Sequence, residues 1–130
     1  MTLARVKTFI VWLIYATVVL TPLFYLKKGV YPYVLSKTLG FQALVEIIFF
    51  AWCALALFDK RYRPRWNSLT IGLGIFLTVL TLTAVTGVDV ARSMWSTQER
   101  VDGVALFFHL AALALVMSSL TQEIKWKRLF

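Results

Sequence analysis

Two ionisable side chains, Glu46 and His109, stand inside long apolar runs, LGFQALVEIIFFAWCALALF (39–58) and VDGVALFFHLAALALVMSSL (101–120). A carboxylate or imidazole inside such a run is costly to bury, so an intramembrane ionisable residue is a functional candidate by default. At helical spacing Glu46 shares a face with Gln42, Phe49 and Cys53, which predicts that this side of its helix faces protein. His109 shares a face with Ala105, Ala112, Val116 and Ser119, small enough for close helix packing. Glu46 lies seven residues, about 10 Å, inside its run. His109 lies at a similar depth from the same side, so the two are expected to pair within one half of a bundle. The plain alternative is structural: a hydrogen-bonded carboxyl that holds helices together and a buried imidazole with a local partner.

Three cations outside the runs could hold phosphate groups: Lys37, Arg92 and Arg100. Their alternative role is that of interfacial anchors whose stems lie along apolar surface while the charge reaches the headgroups. No set of residues assembles a base and a nucleophile, so no catalytic residue is assigned. There is no GxxxxGK[ST], no HExxH and no paired cysteine, so nucleotide and zinc chemistry have no support and neither a metal nor a cofactor is expected. Cys53 is the only cysteine and sits in an apolar run, where it reads as a small hydrophobe.

The elements that must position these groups follow from composition. Of 130 residues, 60% are hydrophobic and 15% charged, and the mean hydropathy is +0.77. A soluble domain is about 45–50% apolar, and a chain this short has too little interior to hide the excess. Lipid is the natural sink. The formal charge of +8 sits in short clusters between apolar runs rather than along a soluble basic stripe, which favours a membrane surface over nucleic acid.

Four runs stand out, at 9–26, 39–58, 69–88 and about 101–120. Each is long enough, at about 1.5 Å per residue, to span a hydrocarbon core of about 30 Å as a helix. Backbone groups in lipid must be satisfied within the segment, and no alternating pattern suggests a barrel. The expected fold is therefore all-α, an integral membrane bundle of four transmembrane helices. Arg5 and Lys7 precede the first run as in a secretory signal, but the run is too long and no cleavage site follows, so it is expected to be retained. Pro22 can kink or end the first helix, and Asn67 or Ser68 can cap the third. The third carries Thr70, Gly74, Thr78 and Thr81 along one side, a stripe expected to admit a neighbouring backbone.

Nine Lys and Arg fall on one side of such a bundle (Arg5, Lys7, Lys60, Arg61, Arg63, Arg65, Lys125, Lys127, Arg128) and five on the other (Lys27, Lys28, Lys37, Arg92, Arg100). That asymmetry predicts both termini in the cytoplasm. Trp66, Trp126 and Tyr62 then fall at the inner interface, and Tyr31, Tyr33 and Trp95 at the outer one. The segment DVARSMWSTQERVDG (89–103) has mixed charges, and Ser96-Thr97-Gln98-Glu99 fits a capping box. It predicts that the fourth helix starts near Thr97, running 97–121.

Two stretches carry a family resemblance. VYPYVLSKTLGFQALVEIIFF (30–50) is followed by FDKRYRPRWNSL (58–69), and Arg92-Ser93-Met94-Trp95 is followed by Glu99-Arg100 and Gly103. Together they resemble the N-terminal transmembrane region of bacterial O-antigen ligase-like and O-antigen polymerase-like proteins. One departure is Gln42, where such proteins often carry Arg. The resemblance implies a multi-helix glycosyltransferase of the bacterial cytoplasmic membrane. It would move an undecaprenyl-pyrophosphate-linked glycan onto an acceptor at the outer face. It also implies ten or more helices with the important Arg and His residues later in the chain. The expectation is thus an N-terminal fragment, inactive alone, with further helices of the same protein or a second copy as partners. Two alternatives remain: a complete four-helix proton-coupled transporter using Glu46, and a non-catalytic membrane assembly partner.

Overall fold

A computed structural model of the chain describes residues 3–23, 34–64, 66–97 and 100–120. These residues form five α-helices and one 3-10 turn, with no strand among them: α1 Leu3–Leu23, α2 Val34–Phe58, the 3-10 turn Lys60–Tyr62, α3 Ser68–Thr86, α4 Val90–Trp95 and α5 Val104–Leu120. Helices α1, α2 and α3 are long and apolar enough to cross a membrane. The 17 described residues of α5 are equally apolar and rise about 25 Å.

The helices pack as an open row, α1 against α2, α2 against α5 and α5 against α3, with α4 bridging α3 and α5. Their directions follow from the core. Ile10 near the start of α1 belongs to one buried cluster with Ile48, Trp52 and Leu55 of α2, Val116 and Leu120 of α5, and Tyr62. The beginning of α1 therefore lies beside the ends of α2 and α5. Cys53 packs against this cluster, half-buried and unpaired. At the other end Phe76 of α3 meets Phe107 of α5 edge to face, with ring centroids 5.8 Å apart.

Threonines enter these apolar helices without stranding their hydroxyls, because each can donate to the carbonyl one turn back. Thr17, Thr78 and Thr81 donate to the carbonyls of Leu13, Gly74 and Leu77 at 2.7–2.8 Å. The stripe on α3 works within its own helix. A side chain added at Gly72 or Gly74 would meet no atom within 4 Å, so the close helix approach expected there is not made among the described residues. Asn67 caps α3, its Oδ1 accepting from the Thr70 amide at 2.8 Å.

The turn between α2 and α3 is folded onto α2. Asp59 caps the 3-10 turn by accepting from the Arg61 amide. The Trp52 indole donates to the Tyr62 carbonyl at 3.1 Å in a buried setting, and Arg63 Nε donates to the Ala56 carbonyl at 3.2 Å. Lys7 Nζ lies 5.7 Å from the centre of the Tyr62 ring, tying α1 to the same turn.

Three helix starts move. Helix α2 begins at Val34 rather than 39 and α1 at Leu3 rather than 9. The fourth long helix does not start near Thr97. Ser96 takes φ 64°, which ends α4 instead of opening a helix, and α5 begins at Val104. The capping-box residues Gln98 and Glu99 lie outside the described residues, as do Pro22's successors in 24–33, Arg65 and the segment 121–130 with its three cations.

Candidate functional site

The structure assembles two polar sites on this frame. The first is the Glu46–His109 pair. The two side chains come from neighbouring helices α2 and α5, and His109 Nε2 lies 3.2 Å from Glu46 Oε1. His109 Nδ1 lies 2.7 Å from the Ala105 carbonyl, one turn back on α5. A carbonyl can only accept, so Nδ1 carries a proton. Nε2 then either accepts from a protonated Glu46 or carries a second proton and donates to a carboxylate. Both forms hold one proton between the two residues, and both leave the pair with no net charge. This is how the pair can be tolerated between apolar helices.

The face expected to be turned into protein is turned only partly inward. Gln42 is buried and Phe49 and Cys53 are half-buried, but the Glu46 side chain is 61% exposed. From Gln42 onward the buried positions of α2 (Gln42, Val45, Ile48, Trp52, Leu55) run along a seam just beside Glu46, which sits on its edge. Glu46 and His109 thereby line an open groove of about 450 Å³ between α2 and α5, walled by Phe49, Phe50, Phe108 and Ala112. Phe108 also borders a second groove of about 270 Å³ against Thr78 and Thr81 of α3.

The second site is a polar hollow of about 460 Å³ at the junction of α4 and α5, lined by Arg92, Ser96, Thr97, Arg100 and Asp102. Its shape comes from a tightly folded junction. Asp89 caps α4, its Oδ1 accepting from the Arg92 amide at 2.9 Å. Ser96 closes α4 at φ 64°, and Val101 takes φ 53°. Positive φ is costly for a serine and more so for a β-branched valine, so packing around the junction must hold both. Thr97 accepts at its carbonyl from the Arg100 and Val101 amides, and the Ser96 hydroxyl donates to Asp102. Gly103 completes the fold: a Cβ there would lie 2.4 Å from the Met94 carbonyl oxygen, so α5 can start against α4 only without a side chain.

Of the three cations singled out as phosphate ligands, the structure brings Arg92 and Arg100 together and leaves Lys37 apart. Lys37 lies half-buried near the start of α2 and does not line the hollow. Both guanidinium groups are on exposed residues, and neither is in an ion pair among the described residues. Sequence reasoning missed Ser96, Thr97 and Asp102 as lining residues. The useful signal was Asp89 ahead of VARSMW, a capped helix too short to register as an apolar run. Among the described residues no cluster of His, Cys, Asp and Glu could hold a metal ion. Two guanidinium groups beside a hydroxyl and one carboxylate leave a net positive charge and donors enough for a bidentate anion. Comparison with protein-family models, with curated proteins and with solved structures finds no match.

Proposed function

We propose that this chain forms the N-terminal part of a polytopic glycosyltransferase of the bacterial cytoplasmic membrane. Its donor would be an undecaprenyl-pyrophosphate-linked glycan, handled at the outer face. The observation that carries this reading is the convergence of Arg92 and Arg100 on one polar hollow beside apolar helices. A lipid-linked diphosphate would use that combination, the guanidinium groups for its phosphates and the neighbouring apolar helices for its polyprenyl chain. The hollow's volume falls within the range of about 300–1,000 Å³ typical of ligand sites. The stretches 30–50 and 92–103 add the family resemblance. In this reading α1–α5 supply scaffold and part of the donor vestibule, with both termini cytoplasmic, and the transfer chemistry resides in residues outside this chain. The test is deletion of the gene in its host and complementation with the wild type or with Arg92→Gln/Arg100→Gln. Deletion should leave glycan on its polyprenyl carrier, and the double variant should restore little transfer. Unchanged envelope glycan in the deletion strain would refute the proposal.

A second reading rests on a different observation, the 3.2 Å contact between His109 Nε2 and Glu46 Oε1 in a groove open at the side of the bundle. Such a pair suits proton-coupled transport. It predicts proton flux in proteoliposomes that Glu46→Gln abolishes; no flux under a pH gradient would exclude it.

A further inference from the structure

The end of the bundle opposite the Arg92–Arg100 hollow carries its own built polar surface, which neither functional reading uses. Five cations gather there among the described residues: Arg5 and Lys7 in the first turns of α1, and Lys60, Arg61 and Arg63 in and after the 3-10 turn. The one acid with them is Asp59, whose carboxylate is engaged in capping that turn. The surface is held in place from beneath. The Tyr62 carbonyl is fixed by the buried Trp52 indole, its ring lies under Lys7, and Arg63 is tied to the Ala56 carbonyl. Lys60, Arg61 and Arg63 are exposed. Beside them the end of α2 and the approach to α3 show large apolar side chains, Phe58 80% and Trp66 87% exposed.

We infer that this surface binds the headgroup of an anionic phospholipid, with Lys60, Arg61 and Arg63 on the phosphate and Phe58 and Trp66 against the upper acyl chains. A free anion would use the charges and leave the apolar shelf unexplained. A lipid uses both, because aromatic and basic side chains at a helix end meet the headgroup level together. The folded turn makes this more than diffuse attraction, since three cations are presented from a segment whose backbone is pinned to α2.

Native mass spectrometry of the purified protein, titrated with phosphatidylglycerol and with phosphatidylcholine of identical acyl chains, tests it. The wild type should retain phosphatidylglycerol preferentially, and that preference should fall with added salt. Each charge at such a surface is worth roughly fivefold, so Lys60→Gln/Arg61→Gln/Arg63→Gln should lower retention by roughly two orders of magnitude. Arg61→Lys/Arg63→Lys keeps the charge and should retain the preference, which separates loss of charge from loss of fold. Inorganic phosphate should not displace the lipid. Equal retention of the two lipids by the wild type, a preference indifferent to salt, or displacement by phosphate alone would each overturn the inference.

Discussion

Replacing Gly103 with alanine puts the junction of α4 and α5 under direct test. The added Cβ would lie 2.4 Å from the Met94 carbonyl oxygen and 2.7 Å from the carbonyl carbons of Met94 and Trp95. Ordinary van der Waals contact begins at 3.4 Å, so the backbone at the end of α4 must retreat by about 1 Å. No flexible side chain can give way in its place, because all three nearest atoms are backbone. Forced overpacking costs typically about 1–3 kcal/mol and occasionally more. The strained residues Ser96 and Val101 flank the same junction and leave little slack. Gly72→Ala and Gly74→Ala make the same chemical change in open space on α3, where a side chain meets nothing within 4 Å. Those two should be neutral or stabilising, by up to about 1 kcal/mol from helix propensity. Unfolding in mixed detergent micelles, followed by far-UV circular dichroism, compares the three. The reasoning fails if Gly103→Ala unfolds at the same detergent fraction as Gly72→Ala.

Three other perturbations address separate contacts. Trp52→Phe keeps an aromatic ring in the core but strands the buried Tyr62 carbonyl, and should cost about 1–3 kcal/mol. It should also speed proteolysis between α2 and α3, and an unchanged digestion rate would contradict the clamp. A double-mutant cycle of Glu46→Leu and His109→Leu should return a coupling of about 0.6 kcal/mol and at most about 1.7, the range for hydrogen bonds between membrane helices. Zero coupling would mean the 3.2 Å contact is not held in the membrane. Asn67→Ala should lower stability by about 0.5–2 kcal/mol through loss of the α3 cap, whereas Asn67→Ser should lose only a few tenths. Equal effects in the same unfolding assay would assign Asn67 some other role.

What could be read from the residues was set by length and periodicity. Runs of eighteen or so apolar residues dictate helices because lipid offers the backbone no partner, and the all-helical architecture followed. The Glu46–His109 contact was legible because depth along two helices can be counted residue by residue. The cap at Asn67 was legible because a side chain bonding its own helix needs only local sequence. The orientation of Glu46 was not. Gln42 and Glu46 sit one turn apart, yet one is buried and the other opens to a groove, since four residues advance about 40° beyond a full turn. Which of them faces a neighbour depends on where α5 lies, and no local pattern encodes that. The capping box at Ser96 misled for a similar reason. Its spacing is satisfied, but Ser96 already serves as the end of α4, and Gly103 sets where α5 can begin. Six residues of α4 fall below the length at which apolar periodicity registers, so the element that brings Arg92 toward Arg100 was invisible. The brace between Trp52 and the Tyr62 carbonyl uses a backbone acceptor, which carries no residue signature.

The central claim is that Arg92 and Arg100 form a site for a lipid-linked diphosphate. Its most direct test is the affinity of farnesyl diphosphate for the purified protein in nanodiscs of zwitterionic lipid. The measurement belongs in the Lys60→Gln/Arg61→Gln/Arg63→Gln background, so that the opposite end cannot contribute. Hydrogen bonds to charged groups are worth about 1.5–3 kcal/mol, so Arg92→Gln/Arg100→Gln should weaken binding at least about tenfold, with farnesol not binding at the hollow at all. Equal affinity for farnesyl diphosphate with and without the two arginines would contradict the account.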